Sequence, residues 1–210
     1  MCIRDSDGRV MNLPPRRDLP IYAPFDIGFT DPTAIWYVRL DEAGWYDFID
    51  YDEIMKASVT EWVPDLKAKP WYYGSLLLPH DGPHHEVTSG TTTEKILQAA
   101  GFHVQVMPQT SDKAQIPSVR NILPRCRFAN TPAVRRGLEC LRHYHGTVKR
   151  EGDRTSHSPK PVHDWSSHAC KAMSVFAYFA GELRSGVQPP KKQVANLNSS
   201  PHAGGTGWMS

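Results

Sequence analysis

The sequence predicts an α/β fold: one mixed sheet, opened by an antiparallel meander of three strands, continued by α/β units and carrying helices on both faces. Three observations predict it. Between residues 25 and 51, stretches rich in β-branched and aromatic residues are separated by turn chemistry. From residue 72, apolar runs of strand length alternate with a helical pattern, which favours one sheet with crossover helices. The later periodic stretches are helical and supply the layers that cover the sheet.

Met1 to Pro20 lacks periodicity, carries Pro14-Pro15 and Arg16-Arg17, and reads as a lead-in segment. Phe25-Asp26-Ile27 ends an apolar strand. Gly28 permits a turn or a close backbone approach, and Asp31-Pro32 is turn chemistry. Thr33 to Leu40 is the second strand and Trp45 to Tyr51 the third, joined by Asp41-Glu42-Ala43-Gly44. Ile54 to Lys67 spaces Val59, Trp62, Val63 and Leu66 as a helix interrupted or ended near Pro64.

Tyr72 to Pro79 is a continuous apolar run, as in a strand buried on both faces. It stops at His80-Asp81-Gly82. Thr91 to Glu94 starts a helix that closes at Gly101, and His103 to Met107 is another strand. Asp112 to Arg127 and Thr131 to Tyr144 read as two helices, the first interrupted at Pro117 and ending near Pro124. Gly146 to Val162 reads as a mobile polar linker. His163 to His168 then leads into an apolar helix from Ala169 to Arg184. Gln188 to Ser210 is rich in Pro, Gly, Ser and Asn and is expected to be disordered. The organisation is a lead-in at 1–20, one domain at 21–186 with a mobile loop at 147–162, and a tail at 187–210. No internal repeat occurs.

A chain of 210 residues can bury a sizeable core, and 40% apolar with 22% charged residues fits a soluble globular protein. A net charge of +2 neither demands nor excludes nucleic acid, since local patches matter more. Cys2, Cys126, Cys140 and Cys170 form no CxxC pair. They argue against a zinc ribbon or secreted disulfide scaffold and for a reducing compartment. The last three are expected to be small buried apolar groups. No apolar run approaches the roughly 20 residues of a membrane span. Met1 to Pro15 is polar and charged, unlike a signal peptide.

Three acids stand out: Asp26 in the first strand, Asp81 at the carboxyl end of the central strand, and Asp164 before the last long helix. In such a sheet the first and central strands are neighbours, and the final helix can bring its N-terminus to the same edge. A sheet's carboxyl end is where ligands bind. Gathered carboxylates repel unless divalent cations neutralise them, and an oxygen-rich set suits magnesium or manganese. Two such ions, about 3.5–4 Å apart, support phosphodiester cleavage. Each acid also has a plain reading: Asp26 and Asp81 as turn residues, Asp164 as a helix cap. His80, His84 and His85 have no matching zinc partners and read as loop residues. Arg120, Arg125 and Arg127 are either phosphate contacts or a solvated helix face. Trp165 reads as a core anchor.

The stretches FDIGFTDPTAIWYVRL, LLLPHDG, SVRNILPRCRF and PVHDWSSHACKA resemble, in order and spacing, the nuclease domain of the large terminase subunit of tailed bacteriophages. That domain is RNase H- and RuvC-like. The resemblance runs from about Pro20 to Arg184. It implies metal-dependent cutting of concatemeric double-stranded DNA during genome packaging in the host cytoplasm, with two Mg²⁺ or Mn²⁺ ions. Asp26 and Asp81 match the first and second family acids, and Asp31 a nearby acid close to the metals. The family pattern SHxADAxRY places an aspartate where this chain has Lys171. Asp164 and His168 are then expected to complete the set; the alternatives are an impaired DNA-binding or assembly module and a junction resolvase. The implied partners are a packaging ATPase domain, the small terminase subunit and the portal protein, with no membrane. No GxxxxGK[ST] phosphate loop occurs, so the chain is expected to be the nuclease half alone.

Overall fold

The computed structural model describes residues 8–28, 31–80, 91–151 and 154–183. In chain order the elements are β1 (Val10–Met11), β2 (Ile21–Asp26), β3 (Thr33–Leu40), β4 (Tyr46–Ile54), α1 (Val59–Ala68), β5 (Tyr73–Leu78) and α2 (Thr93–Ala99). Then follow β6 (Val104–Val106), α3 (Asp112–Ile122), β7 (Cys126–Ala129), α4 (Pro132–His143), β8 (Gly146–Glu151), β9 (Arg154–Pro161) and α5 (Ser167–Phe179).

Seven strands form one sheet in the order β1-β7-β4-β3-β2-β5-β6. The expected meander is β2-β3-β4, antiparallel throughout. β5 lies parallel to β2, β6 to β5, and β7 to β4. The predicted mixed α/β sheet is therefore present, with the first and central strands side by side.

Side-chain alternation divides the interior. Along β3, Ala34, Trp36 and Val38 face a core shared with α3, α4 and α5, while Ile35 and Tyr37 face one shared with α1 and α2. β3 is buried along its whole length, as the middle strand of a covered sheet must be. Trp36 packs edge-on against Phe48 and tilted on Tyr51. Its indole N–H donates to the Ala169 carbonyl of α5 at 2.9 Å. Gly137 of α4 gives this indole room, because a Cβ there would collide with its ring.

Several stretches depart from the sequence reading. α1 and α3 run through Pro64 and Pro117. Both prolines are exposed, so water can serve the carbonyl that each leaves without its helical donor. The second of these helices stops at Ile122, and Cys126 and Arg127, at the end of the stretch expected as a helix, begin β7 (Cys126–Ala129). Cys126 and Phe128 of β7 enter the core while Arg127 points the other way. The segment expected as a linker forms the β8–β9 antiparallel ribbon. Part of the lead-in segment also joins the sheet, as β1 paired with β7. Residues 1–7 and 184–210, including the expected tail, lie outside the described residues. Cys126, Cys140 and Cys170 are buried free thiols, and burial pushes Cys140 up to about 12. No helix among the described residues is long and apolar enough to cross a membrane.

One charge network stitches three strands. Arg39 and Asp47 stand opposite each other on β3 and β4, almost fully buried, with Nε–Oδ2 at 3.1 Å. Arg127 on β7 donates to the other Asp47 oxygen at 2.7 Å and to Asp41 at 2.6 Å. Removing one partner of a buried pair leaves an uncompensated charge. Asp47→Ala is therefore expected to lower the unfolding free energy by about 3–5 kcal/mol in urea denaturation. A loss under about 1 kcal/mol would mean that Arg39 is solvated in another way.

Candidate functional site

The site is built where β2 ends. On this strand Ile21, Ala23 and Phe25 enter the α1–α2 core, and Tyr22 enters the α5 core. Alternation puts Asp26 on the Tyr22 side, beneath α5. His168, in the first turn of α5, donates from Nδ1 to Asp26 Oδ2 at 2.9 Å. The His168 side chain is 7% exposed and that of Asp26 23%. The hydrogen bond to Asp26 raises the His168 pKa against the opposing cost of burial, and the charges of Asp26, Asp31 and Glu53 act in the same direction. The neighbouring strand β5 brings Pro79 and His80 to the same edge. Its last registered pair with β2 is Pro24–Leu77, two residues before Asp26 and Pro79.

The chain turns back after β2 through a tight loop. The Thr33 hydroxyl accepts from the Gly28 N–H at 3.2 Å and donates to the Gly28 carbonyl at 2.9 Å. A Cβ on Gly28 would collide with the Asp31 backbone carbonyl. This closeness carries Asp31 back to the site, where its Oδ2 lies 3.2 Å from His163 Nε2. The rings of His163 and His168 are 5.4 Å apart and nearly perpendicular. One ligand atom from each of Asp31, His163 and His168 lies within 4.8 Å of the other two, a spacing that can hold a metal ion. Beside them opens a pocket of about 270 Å³, lined in part by Asp26, His80, Gln115, His163, Lys171 and Val175.

The structure brings together Asp26, Asp31 and His168 of the residues the sequence singled out. His163 was not among them; its one signal was a position five residues before His168 in the PVHDWSSH stretch. Asp164 lies outside the Asp31–His163–His168 group. Its Oδ1 accepts from the Ser166 hydroxyl at 2.6 Å and backbone N–H at 2.9 Å, and these bonds hold its carboxyl below the usual range. Asp81 follows His80 directly and lies outside the described residues, as do His84 and His85.

Arg120 is exposed on α3. Arg125 donates twice to the Gly44 carbonyl and covers the Tyr46 ring; Arg127 is engaged with Asp41 and Asp47. Trp165 is not a core anchor: it is 45% exposed, with the Arg136 guanidinium 4.8 Å from its ring centre and His143 beside it.

No protein-family model and no curated protein matches the chain. Solved structures do. The large terminase of a thermophilic bacteriophage, in complex with ADP, aligns with a TM-score of 0.62 and 16% identity over 83% of this chain. The chain spans 43% of that protein's length. The P22 large terminase nuclease domain aligns with a TM-score of 0.58 and 17% identity, over 82% of this chain and 88% of that one. The nuclease domain of the bacteriophage SPP1 large terminase, solved with bound Mn, aligns with a TM-score of 0.59 and 14% identity, over 80% and 89%. At such identity the likeness is one of fold, and the RNase H-like architecture of these nuclease domains is that of this chain.

Gly28→Ala forces the new methyl against the Asp31 carbonyl. It is expected to cost about 1–3 kcal/mol in urea denaturation and to shift the His163 ring signals in NMR spectra. An unchanged spectrum with unchanged stability would show that the loop does not position Asp31.

Proposed function

We propose that the chain is a divalent-metal-dependent DNA endonuclease domain that cuts concatemeric double-stranded DNA during phage genome packaging. One observation carries this reading. Asp26, at the carboxyl end of β2, is hydrogen-bonded to His168 beside Asp31 and His163, on the rim of an open pocket. Asp31, His163 and His168 stand close enough to share a divalent ion, with the Asp26 carboxylate held against His168; carboxylates suit Mg²⁺ or Mn²⁺, while imidazoles also suit other first-row divalent ions. Two ions are the expectation from the resemblance, with Asp81 as a further carboxylate. A bound divalent ion polarises a phosphodiester and makes water a stronger nucleophile.

The chain's own residues do the positioning. His168 holds one oxygen of Asp26 and fixes the carboxylate's direction, as partners behind metal ligands do. Asp31 and His163 hold each other in the same way. Asp164 secures the chain entering α5 through Ser166, which sets where His163 and His168 stand; a direct metal contact from it is the weaker role. Arg120 is the foremost phosphate contact on duplex DNA, with Arg125 and Arg127, already engaged, behind it. A packaging ATPase domain, the small terminase subunit and the portal are the proposed partners, in the host cytoplasm.

A second reading has its own observation. Lys171 puts a cation in the pocket, which suits a module that kept DNA binding and lost cleavage. Plasmid nicking with Mn²⁺ or Mg²⁺ separates the two. The nuclease reading expects nicking that EDTA abolishes and that Asp26→Asn reduces at least about 100-fold. Nicking indifferent to both changes would sink it. Retained DNA retardation without any cleavage supports the second reading, and preference for four-way junctions supports a resolvase.

A further inference from the structure

The hydrogen bonds around His163 fix where its ring proton sits. The Ser167 hydroxyl has a single hydrogen and donates it to the Asp164 carbonyl at 2.7 Å. In its contact with His163 Nδ1, at 3.1 Å, the ring nitrogen is therefore the donor. A neutral imidazole with its proton on Nδ1 keeps a lone pair on Nε2. That nitrogen faces Asp31 Oδ2 at 3.2 Å, and an ionised carboxylate oxygen only accepts. Two acceptors so placed need a cation between them: a second ring proton or a metal ion. His168 repeats the pattern. Its Nδ1 donates to Asp26 Oδ2 at 2.9 Å, which leaves the lone pair on Nε2. The ring is buried, and no described residue offers that nitrogen a hydrogen bond.

We propose that Asp31 Oδ2, His163 Nε2 and His168 Nε2 are direct ligands of one ion, with Ser167 and Asp26 each holding an imidazole from behind, and that this ion is a first-row transition metal of the Zn²⁺ or Co²⁺ kind in preference to Mg²⁺. One ligand atom from each of the three residues lies within 4.8 Å of the other two. Partners behind metal-bound imidazoles set the tautomer and the direction of the ring. Imidazole donors suit Zn²⁺, whereas Mg²⁺ prefers oxygen and keeps its waters. Further donors from elsewhere in the chain can join the ion without displacing these three. The inference rests on the metal-binding part of the nuclease reading and names the atoms and the metal class of that site.

The test uses the full chain with Zn²⁺ or Mg²⁺ alone as the probe and reads the ring nitrogens by ¹⁵N NMR. Without metal, at a pH where both rings are neutral, each is expected to carry its proton on Nδ1. One equivalent of Zn²⁺ is expected to shift Nε2 of both rings and leave the Nδ1 protons in place, while Mg²⁺ at the same concentration moves neither ring. In competition with a chromophoric chelator, His163→Gln and Asp26→Asn are each expected to weaken Zn²⁺ binding at least about 10-fold. His163 is 70% exposed, so its replacement leaves the core as it is. A ring proton on Nε2, Zn²⁺ bound without either ring or through Nδ1, Zn²⁺ affinity untouched by His163→Gln, or Mg²⁺ bound as tightly as Zn²⁺ would each overturn the inference and leave the nuclease reading to rest on carboxylates. Both rings bound through Nε2 with no nicking in any ion upholds the inference and overturns the nuclease reading. A chain that binds neither ion overturns both.

Discussion

The hydrogen bond from His168 to Asp26 decides where α5 can rest. Strand alternation places a carboxylate beneath that helix, and a carboxylate so enclosed needs a partner. His168 supplies it, and the next residue, Ala169, takes the Trp36 indole N–H. Two consecutive residues of α5 are therefore tied to two adjacent strands, β2 and β3. Such a pair of ties fixes both the height and the rotation of the helix. His163 upstream and Lys171 one turn downstream reach the pocket because those ties hold.

Asp26 and Asp47 show how the same group can serve two ends. Asp47 is sealed between two guanidiniums, which keep their charge at any ordinary pH. Its partners are permanent, and its work is to join β3, β4 and β7. Asp26 is bonded to an imidazole, which can lose its proton or turn its other nitrogen elsewhere, and it still borders open space. The kind of partner, as well as the exposure, separates these two carboxylates.

Much of this was legible in the residues. The meander, β5, α2 and α4 were found because their periods are clean and their turns carry Gly, Pro or Asp. Asp26 stood out as an acid inside an apolar run, and His168 through the motif around it. β7 was hidden because it is four residues long, follows a helix and carries Arg127. The β8–β9 ribbon was hidden because its pairing is made by backbone groups and its composition is polar. His163 escaped notice because its link to Asp31 spans 132 residues. The local bonds of Asp164 to Ser166 were not legible apart from its other reading, since an acid before a helix serves equally well in a local turn. Arg125 and Arg127 read as phosphate contacts or a solvated helix face; their bonds to Gly44, and to Asp41 and Asp47, were not legible in the sequence.

Gly137 has an effect that reaches beyond the tryptophan it accommodates. By omitting a side chain it lets α4 settle low over the sheet, within range for Arg136 to grip Glu53 on β4 at 3.1 Å. The same guanidinium roofs Trp165, whose backbone carbonyl meets the thiol of Cys140. The missing methyl thus acts as a height gauge: the clearance between helix layer and sheet, set at one atom, keeps Arg136 in reach of both Glu53 and the Trp165 ring.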